Sequence, residues 1–260
     1  MTAATEPPST QTAGAEPAIT CERRGPLATI RLNRPREHNT LTTAMLRDLA
    51  ATVERLHDES GQEVRVIVLS GQGPSFCRGA DIPEMIGADR RAVRAAVEAG
   101  RRACRALAES PAITVAQVHG KVIGAGICLA AHCDLRVSCA SATFRLPELT
   151  IGVPALWGGA GPRLAMEIGV SRLRELVLTG DVIDAATARA YGLVHRVAPV
   201  GDLHETTTAL AGRLARRDPT AVRLTKTAFR AAESACRQGD ITATDAELFA
   251  YALPGTVATG

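Results

Sequence analysis

Two features of this sequence can do chemistry: a carboxylate set among apolar residues, and a pair of glycine turns. Glu148 stands in Arg145-Leu146-Pro147-Glu148-Leu149, where desolvation would raise a carboxyl pKa towards the range useful for acid/base work. A lone Pro-Glu pair is otherwise an ordinary surface loop, so on these residues alone both readings stand. The glycine turns are Ser75-Phe76-Cys77-Arg78-Gly79-Ala80-Asp81 and Gly120-Lys121-Val122-Ile123-Gly124-Ala125-Gly126, each leading towards a helix. Backbone N–H groups at such turns lie at the positive end of the helix dipole and can hydrogen-bond developing negative oxygen, so two of them make an oxyanion hole. The plainer reading is that the glycines permit tight turns and close helix packing.

Other chemistries are excluded by their signatures. Gly124-Ala125-Gly126-Ile127-Cys128-Leu129 starts like a dinucleotide loop, but Leu129 occupies the place of its third glycine. No G-x-x-x-x-G-K-[ST] phosphate loop and no G-x-S-x-G nucleophile elbow occurs. His132, Cys133 and Cys139 do not read as a metal cluster, because the two cysteines fall in one predicted strand whose alternation points them variously. No metal site is expected. Lys121 reads as part of its turn and not as a Schiff-base lysine.

The elements that must position these residues alternate between strand and helix. Residues 1–17 lack apolar periodicity and read as a flexible tail. Strands are expected over 27–32, 64–70, 112–118 and 134–138, and helices over 42–56, 90–109 and 124–132, the last beginning at glycines. This alternation argues an α/β core, a sheet covered by helices, over 18–200. Further helices are expected over 172–178, 184–191, 202–216 and 220–236, the last two in a C-terminal helical region, 201–260.

Composition bounds the rest. The 260 residues suit one main core, and 46% hydrophobic with 22% charged residues excludes a disordered or collagenous chain. A net charge of +3 without a basic tract argues against nucleic acid as a partner. No apolar run approaches a membrane span, and the N-terminus lacks the basic start and apolar stretch of a secretion signal, so a cytoplasmic protein with no membrane association is expected. Seven cysteines without a repeated CxxC spacing then read as free, mostly buried thiols.

Several motifs in one order carry a resemblance. Val118-His119-Gly120-Lys121-Val122-Ile123-Gly124-Ala125-Gly126, then Cys133-Asp134-Leu135-Arg136-Val137, then Phe144-Arg145-Leu146-Pro147-Glu148-Leu149 resemble the enoyl-CoA hydratase/isomerase (crotonase) superfamily. Leu32-Asn33-Arg34-Pro35 with Asn39, Phe76-Cys77-Arg78-Gly79-Ala80-Asp81-Ile82, Trp157-Gly158-Gly159 and Leu178-Thr179-Gly180 stand in the matching order. The resemblance implies an α/β spiral of ββα units with a C-terminal helical trimerisation region, a homotrimer or hexamer, and an acyl-CoA or carrier-protein-bound acyl thioester as substrate. Coenzyme A enters as part of the substrate, with no further cofactor. By motif position the amides of Ala80 and Ala125 would hold the thioester oxygen, and Glu148 would be a catalytic carboxylate, with Gly124 at the binding turn.

The departures from the pattern decide what is expected of the reaction. The family's hydratases place a second Glu two residues after Gly126, and this chain has Cys128 there. A neutral thiol does not replace a carboxylate as acceptor of water's proton, and a Cys on an apolar helix is commonly packing. Moving a double bond needs one base only, so isomerisation by Glu148 is the expectation. Hydration is the second reading; a decarboxylase or a non-catalytic thioester-binding member are further alternatives. Pro83 stands where relatives often carry a Lys near the CoA phosphates. That leaves Arg36 and Arg78 as phosphate-binding or merely solvated guanidinium groups. Trp157, the one tryptophan, either walls the acyl pocket or packs behind it.

Overall fold

The structure, a computed structural model, describes residues 16–58, 63–155 and 157–235. Most of the expected N-terminal tail, Leu156, Cys236 and the rest of the C-terminal segment to residue 260 lie outside the described residues. The chain opens with the antiparallel strands β1 (Ile19–Arg24) and β2 (Leu27–Leu32) and continues through α1 (Thr43–Asp58), β3 (Val66–Gly71), α2 (Ile82–Met85) and α3 (Arg90–Glu109). Next come β4 (Ile113–Val118), β5 (Lys121–Ile123), α4 (Ala125–Ala131), β6 (Leu135–Cys139) and β7 (Thr143–Arg145). The remainder is α5 (Ala160–Ile168), α6 (Val170–Thr179), β8 (Ile183–Asp184), α7 (Ala185–Tyr191), β9 (Arg196–Ala198), α8 (Leu203–Leu214) and α9 (Pro219–Ala235).

Two sheets result. One has six strands in the order β1-β2-β3-β4-β6-β9, parallel from β2 onward, and the other has three in the order β5-β7-β8. Successive strands are dealt to different sheets, β4 and β6 to the larger and β5 and β7 to the smaller, with helices between. This is the spiral of ββα units. Its interior strands are apolar on both faces: Val66, Ile67, Val68 and Leu69 of β3 are all buried, as a covered parallel sheet requires. The edge strand β1, Ile19-Thr20-Cys21-Glu22-Arg23-Arg24, is mostly polar and escaped the sequence reading for that reason.

Helix α3 shows how the sequence writes its own packing. Val93, Ala96, Val97, Gly100, Ala103, Cys104 and Leu107 recur at helical spacing and are buried, while Arg101–Glu98 and Arg105–Glu109 pair on the outer face. Asp89 caps it, its Oδ1 accepting from the Ala92 N–H at 2.7 Å. Helix α5 and the strands β5, β7, β8 and β9 were not anticipated; segments of two or three residues carry no periodic signal, and Gly161-Pro162 masks the start of α5. Cys133 and Cys139 do not share a strand, contrary to expectation. Cys133 sits in the turn after α4, where its carbonyl accepts from Arg136 Nη1 at 3.0 Å, and Cys139 ends β6.

That Arg136 is the hub of a buried charge network. Its Nε donates to the Leu193 carbonyl at 2.7 Å, its Nη1 to Ala131 at 3.1 Å, and its Nη2 pairs with Glu167. Glu167 also accepts from Arg163 Nε at 3.1 Å, and Arg163 Nη1 reaches Glu233 at 2.6 Å, joining β6, α5 and α9. Lys226 of α9 donates to Asp134 at 2.6 Å and to the Ala112 carbonyl at 2.8 Å. Among the described residues no helix is long and apolar enough to cross a membrane.

Candidate active site

The two glycine turns meet because one chain segment runs alongside β5. Cys77 N–H donates to the Lys121 carbonyl at 3.2 Å and Ile123 N–H to the Cys77 carbonyl at 3.0 Å, a parallel bridge between Cys77 and Val122. The approach is close enough to demand a missing side chain: a Cβ on Gly126 would stand 2.7 Å from the Cys77 carbonyl oxygen. Gly79, at φ +99°, would place a Cβ 3.6 Å from the Ala125 nitrogen, so the two turns lie side by side.

Two amides are left over at this meeting. Leu41 N–H donates to Gly79 O and Asp81 N–H to Leu41 O, which uses the bonds on either side of Ala80 and leaves the Ala80 N–H on the other edge of the bridge. Ala125 begins α4, so its N–H has no acceptor within the helix. Among the described residues neither N–H donates to a protein acceptor. Asn39 holds the first turn in place. It is fully buried at φ 57°, accepts from Arg34 N–H at 2.8 Å, and donates to the carbonyls of Gln72 at 2.9 Å and Ser75 at 2.8 Å. Arg34 adds an ion pair to Asp81 at 3.0 Å. The sequence places Asn39 in a motif without this role; an Asn four residues after Pro35 is the available signal for a left-handed turn.

Glu148 opens a 3-10 turn, Glu148–Ile151, directly after β7. Arg145 fixes that segment, its Nε donating to the Gly180 carbonyl at 2.7 Å, while Gly124 N–H donates to the Arg145 carbonyl at 3.0 Å. The Glu148 side chain is 8% exposed, and among the described residues no donor reaches its buried Oε2. Burial raises its pKa above the usual carboxylate value, a backbone hydrogen bond partly opposing. Its Oε1 comes so close to Gly124 that a Cβ there, at φ +52°, would stand 2.9 Å away.

Two cavities adjoin at Glu148 and Trp157. A small one of about 60 Å³ is lined by Arg78, Gly79, Ala80, Gly124, Ala125 and Glu148, with Trp157. A larger one of about 410 Å³ runs past Cys128, Glu148 and Trp157 to the apolar side chains of α5 and α6. Glu148 is the one carboxylate among the described residues lining either cavity. Cys128 shares the larger cavity with it, fully buried, its thiol held well above its ordinary pKa by burial first and the nearby Glu148 second. Trp157 does both things left open by the sequence: it walls the cavities and packs on α3, where a Cβ on Gly100 would collide with its ring. Arg78 is exposed at the small cavity, whereas Arg36 is exposed on the 3-10 turn Pro35–Glu37 and lines neither.

Comparison with known proteins gives a consistent result. The family model described as Enoyl-CoA hydratase/isomerase matches residues 22–254. The chain is 34% identical over 222 residues to the probable enoyl-CoA hydratase echA8 of Mycobacterium bovis, covering 85% of this chain and 84% of that one. It is 30% identical over 212 residues to the short-chain-enoyl-CoA hydratase of Clostridium acetobutylicum, covering 81% and 80%. The crystal structure of enoyl-CoA hydratase from Bacillus anthracis superposes with a TM-score of 0.76 at 36% identity, covering 82% of this chain and 83% of that one.

Proposed function

The chain belongs to the enoyl-CoA hydratase/isomerase family of acyl-CoA enzymes, and from that premise we propose that it shifts the double bond of a 3-enoyl thioester to C2 with Glu148 as its single acid/base. The observation that carries this reading is the solitary carboxylate: Glu148 is the one such group among the described residues lining the two cavities, with Oε2 unpartnered. The thioester carbonyl lies in the small cavity, its oxygen against the N–H groups of Ala80 and Ala125. Glu148 takes a proton from C2, the electron pair moves into a dienolate whose charge rests on the thioester oxygen, and the two amides stabilise it. The resulting carboxylic acid returns the proton to C4, leaving the double bond between C2 and C3. Atoms balance with the substrate alone. A carboxyl of raised pKa suits both halves of this cycle, as acceptor and then donor near neutral pH. Cys128, its thiol held protonated by burial, supplies no second base. Arg78 at the mouth of the small cavity, and Arg36 further out, are the guanidinium groups offered to the CoA phosphates.

Hydration of a 2-enoyl thioester is the second reading, favoured by the names of the relatives in Mycobacterium bovis and Clostridium acetobutylicum. Glu148 would then have to orient water without a carboxylate partner. Incubation with 3-enoyl-CoA and, separately, 2-enoyl-CoA in deuterated water separates the two. A migrated double bond with no gain of oxygen supports the one-base reading, and a 3-hydroxyacyl product as the sole turnover overturns it in favour of hydration.

A further inference from the structure

Resting on the acyl-thioester reading, we propose that the larger cavity takes an unsubstituted apolar acyl chain of medium length, about eight to twelve carbons, and that Gly161 sets this preference by leaving the α5 wall open. The cavity of about 410 Å³ begins at Glu148, where the thioester carbons would sit, and extends along α5 and α6. At close packing, with a methylene filling roughly the 30 Å³ share of a water molecule, it holds on the order of ten chain carbons. Its walls are apolar beyond Cys128 and Glu148 save for the exposed Arg174. Leu149, Val170 and Leu178 line it while remaining 45%, 56% and 65% exposed, apolar surface that an acyl chain lying in the cavity would cover.

Gly161 is the anomaly in this wall. In Trp157-Gly158-Gly159-Ala160-Gly161 the first two glycines are required by their backbone, at φ +67° and +70°, and a Cβ on Gly158 would also stand 3.1 Å from Cys104 Sγ. Gly161 lies inside α5, without a positive φ, and a Cβ built on it meets nothing within 4 Å. It lines the cavity, and on this proposal a side chain there takes space from the acyl chain. Glycine is a poor helix former, and neither strain nor packing calls for it here. One structural reason competes: Pro162 follows, and a residue with a Cβ before proline is disfavoured in the helical region. That reason predicts a stability effect and no change in chain-length preference.

The test is calorimetric titration of the full chain with saturated CoA thioesters of four and ten acyl carbons, for the wild type, Gly161→Leu and Gly161→Ala, with thermal midpoints measured alongside. Saturated thioesters probe the cavity whichever reaction the enzyme runs. In the wild type the affinity should rise about threefold to fourfold per added methylene, so that ten carbons exceed four by on the order of 10³-fold. Gly161→Leu should lower this ratio about tenfold or more and Gly161→Ala about threefold. A wild-type ratio near one, or a ratio unchanged in both variants, overturns the inference; an unchanged ratio with a lowered midpoint assigns Gly161 to the helix start before Pro162. If neither thioester binds the wild type, the acyl-thioester reading itself falls, and this inference with it.

Discussion

Arg136, 1% exposed, gives its guanidinium to the carbonyls of Leu193, Ala131 and Cys133 and to Glu167, whereas Glu148, 8% exposed, leaves Oε2 without a donor among the described residues. Both are charged side chains taken out of water, which is expensive for each. At Arg136 the cost is offset by hydrogen bonds that also tie β6, α5 and the segment before β9 together. At Glu148 it is only partly offset, by a backbone hydrogen bond, and appears as a raised pKa. The lesson is that a fully partnered buried charge holds a fold, while an unpartnered one facing a cavity holds reactivity in reserve.

The comparison breaks most clearly under substitution. Glu148→Gln should lower turnover by about 10³-fold, within the range typical of a lost acid/base group, while the protein stays folded; steady-state kinetics beside circular dichroism checks both. Arg136→Met should do the reverse. It removes one of the two arginine partners of Glu167, leaving Arg163, and takes the donor from the Leu193, Ala131 and Cys133 carbonyls; it should cost about 3–5 kcal/mol in denaturant unfolding, with turnover per folded molecule little changed. A variant pair in which Arg136→Met spared stability, or Glu148→Gln spared turnover, would erase the distinction. Gly124→Ala comes next: the new methyl meets Glu148 Oε1 on a backbone at φ +52°, and displacing the carboxylate should lower turnover by about 10²-fold.

Smaller effects follow pH. Glu148 has a folded pKa above its ordinary value of 4.5, so its protonated form favours the folded state, and that contribution is lost as pH rises through the raised pKa. Glu148→Gln should therefore raise the thermal midpoint above that pKa and give no gain at pH 4 and below. Activity that needs the ionised base should fall as pH drops through the same value. His195 runs the opposite way and should give the smallest effect. Burial, then the charge of Arg136, lowers its pKa from 6.5 to about 4, and its Nδ1 accepts from the Arg136 N–H at 3.1 Å. Its stabilising contribution is complete above pH 6.5 and lost as pH falls through about 4. His195→Gln should flatten that acid limb in pH-dependent melting curves.

Much of this arrangement was legible beforehand. The helix over 90–109 was read to the residue, because α3 alternates buried and charged positions over twenty residues. The helix beginning at glycines appeared as α4, and Glu148, Ala80, Gly124 and Ala125, drawn from separate motifs, line one cavity. The short strands of the second sheet stayed hidden, since two or three residues have no period to read. Arg136, Glu167 and Glu233 were missed for a different reason: they are far apart in the chain, and their pairing exists only once α5 and α9 fold back on β6.

By itself the sequence determined the longer strands and helices in their order, the glycine turns and the placing of Glu148 among apolar neighbours, because these are local: periodicity, φ preference and residue identity are written along the chain. The tertiary structure decided that the two turns abut, that Glu148 loses its solvent while its Oε2 gains no donor among the described residues, and that Gly161 faces open space. Those are consequences of long-range packing, where the environment of a group depends on residues dozens of positions away.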